Sequence, residues 1–324
     1  MGALGRLVML MMPITPRFVV GWVAKRYVAG PDLESALQVM RSMKSQGACF
    51  TLDVLGEEIT SLEEANFFVN EYHRALDAII AEDMDANISL KPTAFGLLID
   101  EKQALENIEK ITRIASNNNI FVRLDMEDNR VTQSTIDIVI EMHNRGLTNI
   151  GTVLQSRLFR TGEDITSLSS KLGGYSDVRI CKGIYLEPED IAHTKYHDIV
   201  LATNKAIDDL LDAGAYTAIA SHDIPVIDHS LAALEDRGMG PKIDDPRGNA
   251  GPVRSGKGLG YEFQFLLGVR GNIRRKLAKE GHRTRVYIPY GSRWYEYSMR
   301  RLRENPDVAW HVAKSIIMPW TNRR

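Results

Sequence analysis

Four side chains near the C-terminus, Tyr297, Arg300, Arg301 and Glu304, fall at i, i+3, i+4 and i+7. That spacing puts them on one face of a helix, which Asn305-Pro306 would end. Two adjacent guanidinium forks can grip a carboxylate bidentately, and Tyr287 and Tyr297 could wall a pocket around it. The same spacing also suits a solvated face whose Arg300 and Arg301 pair with Glu304, worth only about 0.3–0.5 kcal/mol per pair. On the helix alone the solvated face is favoured, so the choice rests on what else the chain brings near.

The elements that would position these residues are legible from residue 49 onward, where short apolar β-prone runs alternate with longer helical stretches. The runs are 49–53, 87–90, 121–125, 151–155, 178–182, 217–221, 261–265 and 285–289. Between the second and third, Leu105, Ile108, Ile111 and Ile114 recur every three residues, with Lys110 and Arg113 on the flank, as in a core-facing amphipathic helix. A second helix is expected over 192–213, stopped by Gly214. Strand and helix in alternation predict a parallel sheet, and eight such units fit a (β/α)8 barrel of TIM type better than a doubly wound sheet. No GxGxxG opens a helix. The expected division is an N-terminal helical segment, 1–45, ahead of a catalytic barrel, 46–324.

Composition narrows the classes further. The 324 residues are 44% apolar and 25% charged with a net charge of -2, which offers no electrostatic footprint for nucleic acid. The two cysteines, Cys49 and Cys181, lack CxxC spacing, so neither a disulfide framework nor a zinc site is suggested and the chain reads as intracellular, cytoplasmic and reduced. The apolar N-terminus, 1–20, is broken by Arg6, Pro13, Pro16 and Arg17, too soon for a transmembrane span. It is expected to form a helix against the core, with peripheral membrane contact as the alternative. The stretch 237–260 is rich in glycine, proline and charge and reads as a long loop. Within it, the run from Gly251 to Gly258 mimics a phosphate-binding loop but lacks the hydroxyl after Lys257.

In a barrel of this type, chemistry sits at the C-terminal ends of the strands. Lys91 ends the second run, Asp125 and Glu127 the third, Gln155 the fourth, and Arg179 and Lys182 the fifth. Ser221, His222 and Asp223 end the sixth, Glu262 and Gln264 the seventh, and Tyr287 the eighth. Any one of these could be a helix cap or a structural ion pair. Together they form a rim of cationic and neutral donors, without HxH, HExxH or GxSxG, which suits a large anionic cofactor and a small anionic substrate rather than a metal hydrolase or an acyl transferase.

Seven ordered motifs give the chain a resemblance to the proline dehydrogenases, including the corresponding domain of the proline utilization A flavoenzymes, over about residues 20–315. They are Ile88-Ser-Leu-Lys91, Arg123-Leu-Asp125-Met-Glu127-Asp128, Val153-Leu-Gln155, Arg179-Ile-Cys-Lys182-Gly183-Ile-Tyr185, Ala220-Ser-His222-Asp223, Tyr261-Glu-Phe-Gln264, and Tyr287-Ile-Pro-Tyr-Gly291 followed by Tyr297-Ser-Met-Arg300-Arg301-Leu-Arg-Glu304. The resemblance implies a (β/α)8 barrel that binds FAD and oxidises L-proline to Δ1-pyrroline-5-carboxylate by hydride transfer from C5 to flavin N5. It implies a quinone as electron acceptor, and a pyrroline-5-carboxylate dehydrogenase that takes the product on towards glutamate.

The same resemblance implies that Arg300 and Arg301 bind the proline carboxylate, with Lys91, Asp125, Tyr185, Tyr287 and Tyr297 completing the pocket and Ile180 and Ile184 lining its apolar side. It places Arg179 near flavin N5, Gln155 at the isoalloxazine, and Lys182, Gly183, Tyr185, Ser221, His222, Asp223 and Glu304 along the cofactor, with Thr194 and Lys195 towards its pyrophosphate or adenosine. Glu57 would pair with Arg300 and close a lid. Two positions depart from the family pattern: Arg157 stands where an aromatic residue is usual, and Pro92-Thr93 follows Lys91 in place of Leu-Ser. The alternatives are a folate-type flavin reductase, whose flavin NADH would bleach, and a non-catalytic barrel, which would be colourless.

Overall fold

In a computed structural model of the protein, residues 21, 24, 26–248, 260–295, 297 and 298 are described. The expected helix at 1–20, the run from Gly251 to Gly258, and Arg300, Arg301 and Glu304 lie outside them.

Eight parallel strands close into a barrel in sequence order, β1 (Cys49–Val54), β2 (Ala86–Leu90), β3 (Val122–Leu124), β4 (Ile150–Gln155), β5 (Asp177–Cys181), β6 (Tyr216–Ala220), β7 (Tyr261–Leu266) and β8 (Thr284–Tyr290). The eight expected runs all become strands, and β8 pairs with β1 to remove the last free edge. Helix α1 (Leu33–Lys44) precedes the barrel. The crossovers are α2 (Leu62–Ala81), α3 (Glu101–Asn117), α4 (Thr132–Asn144), α5 (Thr161–Leu172), α6 (Tyr196–Asp212), α7 (Ile224–Asp236) and α8 (Gly271–Glu280). Helix α3 turns Ile108 and Ile111 fully inward, as its periodicity requires, while Asp100 caps its start by accepting a hydrogen bond from the Gln103 N–H at 3.0 Å. The helix expected over 192–213 begins four residues later, because Pro188, Ile191 and Ala192 are tied into turns by backbone bonds to one another.

Ile88, Leu90, Ile136, Val139, Ile207 and Leu210 are among the side chains filling the layer between strands and helices. The barrel interior has a different character. Its inward positions carry Asp53, Lys91, Arg123, Asp125, Asp177, Arg179, Glu262 and Arg285, none more than 9% exposed. Four acids face four bases, so the desolvated charges balance, where a barrel of this type more often holds layers of aliphatic residues. Gly151 makes room for one of them: a Cβ there would stand 3.0 Å from Arg123 Nη1 and 2.2 Å from the Asp177 carbonyl oxygen.

Candidate active site

At the C-terminal end of the barrel, β2, β3, β5 and β8 bring four expected site residues into one hydrogen-bonded cluster. Asp125 is its hub. Its Oδ1 accepts from Arg179 Nη1 at 2.7 Å and from the Ser89 hydroxyl, and its Oδ2 accepts from the Tyr287 hydroxyl at 2.7 Å. Lys91 Nζ lies 3.8 Å from that carboxylate, donates to Tyr287 Oη at 3.5 Å and is ion-paired with Asp53. Tyr297 is buried beside Val28 and Leu55, close enough to bear on the ionisation of both Lys91 and Tyr287.

Electrostatics set the protonation of this cluster. Burial alone would discharge Lys91, but Asp53 and Asp125 overcome it and hold the ammonium above its ordinary range. Burial also works to raise Asp125, yet Arg179 and Lys91 bring its carboxyl below the usual value, while Asp53, with less compensation, is pushed up. Burial, then the neighbouring Asp125, moves the Tyr287 phenol well above its ordinary value, so it stays a neutral donor.

Arg179 is the link to the rest of the rim. Its Nε donates to Gln264 Oε1 at 2.6 Å and its guanidinium lies 5.2 Å from the centre of the Tyr287 ring. Its Nη2 is buried without a partner among the described residues. Gln155, in β4, donates from Nε2 to the Glu127 carbonyl at 3.0 Å, and its Oε1 is likewise buried without a partner. An unfilled donor and an unfilled acceptor at one barrel mouth are what a ring edge with both acceptor and donor positions would satisfy, as the edge of a flavin does. On the observed side chains, the rim therefore fits the expected cofactor.

A second cluster forms at the ends of β5 and β6. Lys182 is ion-paired with Asp223 and stands 4.5 Å over the Tyr196 ring, and Tyr196 donates its hydroxyl to Asp223 Oδ2 at 2.7 Å. Burial works to raise Asp223, but these two bonds hold it below its usual range. The Asp223 N–H donates to Ser221 Oγ at 3.2 Å. His222 accepts the Leu266 N–H on Nε2 at 2.9 Å, and burial followed by Arg270 lowers it to about 4, so the ring is neutral. Thr194 and Lys195 are exposed immediately before α6, whose N-terminus is a ready place for a phosphate.

Gly183, with φ of +91°, packs where a Cβ would come within 2.8 Å of Arg157 and 3.0 Å of Gln155. Arg157, the departure from the aromatic pattern, is buried and donates to the carbonyl of Tyr185, bracing the loop that holds this half-buried tyrosine.

The structure also corrects two sequence expectations and adds a residue. Ile180 does not line the pocket, because it alternates with inward-facing Arg179 and packs in the layer under the helices. Glu262 is not a rim group: it sits two residues below Gln264 and pairs with Arg285 towards the other end of the barrel. The strand-end reading also passed over Asp53, although an acid closing the apolar run 49–53 was the signal that could have found it.

Comparison with known proteins gives the chain its family and agrees with the barrel fold. The sequence model of the family described as Proline dehydrogenase matches residues 36–314. Proline dehydrogenase 2 of Bacillus subtilis (strain 168) is 36% identical over 284 residues, 88% of this chain and 87% of that protein. Proline dehydrogenase 1 of Bacillus subtilis subsp. natto is 33% identical over 294 residues, covering 91% and 90%. The solved structure of proline utilization A from Bdellovibrio bacteriovorus superposes with a TM-score of 0.76 at 22% identity, a likeness of fold that covers 88% of this chain and only 32% of that one. With a family match across most of the barrel and relatives above 30% identity over nearly their full length, the chain belongs to the proline dehydrogenase family.

Proposed function

We propose that this protein is an FAD-dependent dehydrogenase that oxidises L-proline to Δ1-pyrroline-5-carboxylate. Family membership supports proline oxidation. The observation that carries the finer reading is the Asp125 hub, which fixes a cation, Arg179, at the barrel mouth with its Nη2 unpartnered among the described residues. When bound, the flavin supplies a hydride acceptor at N5 for the hydrogen on C5 of proline.

The chain's own residues bind, orient and exclude water. Arg179, with Gln155, would hold the flavin ring, and Arg179 would stabilise the negative charge that reduction brings, because Asp125 and Gln264 fix its guanidinium beforehand. Lys182, Gly183, Tyr185, Ser221, His222, Asp223, Thr194, Lys195 and Glu304 would hold the remainder of FAD. Arg300 and Arg301 would grip the proline carboxylate, and Lys91, Asp125, Tyr185, Tyr287 and Tyr297 would shape the pocket that orients C5. A membrane quinone fits as the electron acceptor and a pyrroline-5-carboxylate dehydrogenase as the consumer of the product. Among the described residues no helix is long and apolar enough to cross a membrane.

The test is anaerobic addition of L-proline to the purified protein. Bleaching of the flavin spectrum is expected, with proline binding greatly weakened in Arg300→Ala and Arg301→Ala. Bleaching by NADH but not by proline would overturn the substrate, and unchanged proline affinity in both variants would overturn the carboxylate grip.

A further inference from the structure

The loop after β1, residues 55–60, carries Glu57, the expected lid residue, and its backbone is unusual. Gly56 approaches Phe68 so closely that a Cβ would fall 2.2 Å from the ring, and Glu58 is a non-glycine residue at φ of +48°. Such a conformation persists only where its surroundings hold it. The holding groups come from the segments that follow β2 and β3. Glu58 N–H donates to Thr93 Oγ1 at 2.8 Å, and that hydroxyl in turn donates to Glu127 Oε1 at 2.6 Å. The Thr93 N–H donates to Glu127 Oε2 at 3.0 Å. Thr93 and Glu127 are 3% and 4% exposed, so none of these bonds is exchanged readily for water.

With its proton given to Glu127 Oε1, the Thr93 hydroxyl keeps a lone pair for the Glu58 N–H. The far side of Glu127 reaches the cofactor residue, since its carbonyl accepts from Gln155 Nε2. An outer brace completes the clasp: exposed Arg130 pairs with the Glu58 carboxylate and with Asp128.

From this chain of bonds we infer that Thr93 and Glu127 are positioning residues that hold the 55–60 loop over the barrel mouth and thereby set how tightly the substrate is retained. The inference rests on the proposed proline site and extends it to two residues that need not touch substrate. Loop and cofactor site are joined through one residue, Glu127, its carboxyl group on the loop side and its backbone carbonyl on the Gln155 side, so loosening the clasp acts on retention before it acts on hydride transfer.

The experiment compares Thr93→Val, Thr93→Ser and Arg130→Ala with the unaltered holoenzyme, reading steady-state kinetics with L-proline and amide hydrogen exchange over 55–60. Thr93→Val is expected to raise KM about tenfold with kcat within about twofold, and to speed exchange in the loop. Thr93→Ser, which keeps the hydroxyl, is expected to restore KM to within about twofold. Arg130→Ala, on the surface and safe for folding, is expected to speed exchange at 57 and 58 and raise KM by a smaller factor. Unchanged KM in Thr93→Val, an equal fall in kcat, or no rescue by serine overturns the inference. Should Thr93→Val not fold, unchanged loop exchange in Arg130→Ala overturns it alone. Exchange is read without substrate and bleaching of the unaltered protein without variants, so failure of the clasp and failure of the proline assignment are told apart.

Discussion

Arg285 and Arg179 are both buried arginines inside the same barrel, 5% and 6% exposed, and they are used in opposite ways. Arg285 closes its fork. Nε and Nη2 donate to the two oxygens of Glu262 at 2.7 and 3.0 Å, and Nη1 donates to the Phe50 carbonyl at 2.7 Å. Among the described residues Arg179 is anchored through Nε and Nη1 alone, with Nη2 unfilled. The closed fork ties β8 to β7 and β1, whereas the open one keeps a nitrogen without a partner among the described residues. Burial and charge are nearly equal, so what separates these two arginines is the number of partners left over.

The comparison can be broken at either end. Arg285→Met leaves the Glu262 carboxylate buried without its fork and is expected to cost roughly 3–5 kcal/mol in urea unfolding. Adding Glu262→Leu should recover most of that loss, and failure to recover would mean that the pair does more than hold the barrel. For Arg179→Met the stability loss should be smaller, while flavin reduction by proline, followed anaerobically, falls by roughly 10²–10³. A reversed ranking, with stability lost at Arg179 and turnover lost at Arg285, would sink the distinction.

Glu127 gives a pH-dependent version. Burial raises its carboxyl to about 7 against the hydrogen bonds of Thr93. Because the folded value lies above the unfolded one, the neutral form contributes its stability fully below about pH 4.5 and has lost it once pH passes about 7. The expected loss is about 3 kcal/mol over that window. In Glu127→Gln this part of the slope should disappear when unfolding is measured at pH 5 and pH 8, and an unchanged slope would assign it to other groups. The smallest effect belongs to the surface: Lys205→Ala removes an exposed i,i+4 pair with Asp209 and should change stability by less than about 0.5 kcal/mol.

The eight strands were legible because a buried parallel strand leaves a continuous apolar run bounded by turns, and each such run became a strand. The ends were less so. Phe121 and Asp125 fall outside β3, since only three residues keep the ladder on both sides. Within the site, residue type and strand end identified Lys91, Asp125, Arg179 and Tyr287 as neighbours, but not the depth at which each sits. Glu262 and Gln264 look alike in sequence, and only the stagger between neighbouring strands sends one to a structural pair and the other to Arg179. Ile180 went astray for a related reason, since a one-residue step along a strand reverses the face. The clasp of Thr93 and Glu127 depends on contacts between successive loops, which no periodicity encodes.

The balanced charges inside the barrel carry a consequence for how the chain could be divided. Cut between β4 and β5, the N-terminal part holds Asp53, Lys91, Arg123 and Asp125 and the C-terminal part Asp177, Arg179, Glu262 and Arg285, so each fragment is neutral in its own interior charges. Two of the pairings nevertheless cross the cut, Arg123 with Asp177 and Asp125 with Arg179. Each fragment would carry one cation and one anion whose nearest opposite charge in this register lies in the other. Separately produced halves would therefore be poor folders alone and mutually selective when mixed, a self-sorting pair whose recognition code is written on the inside of the barrel.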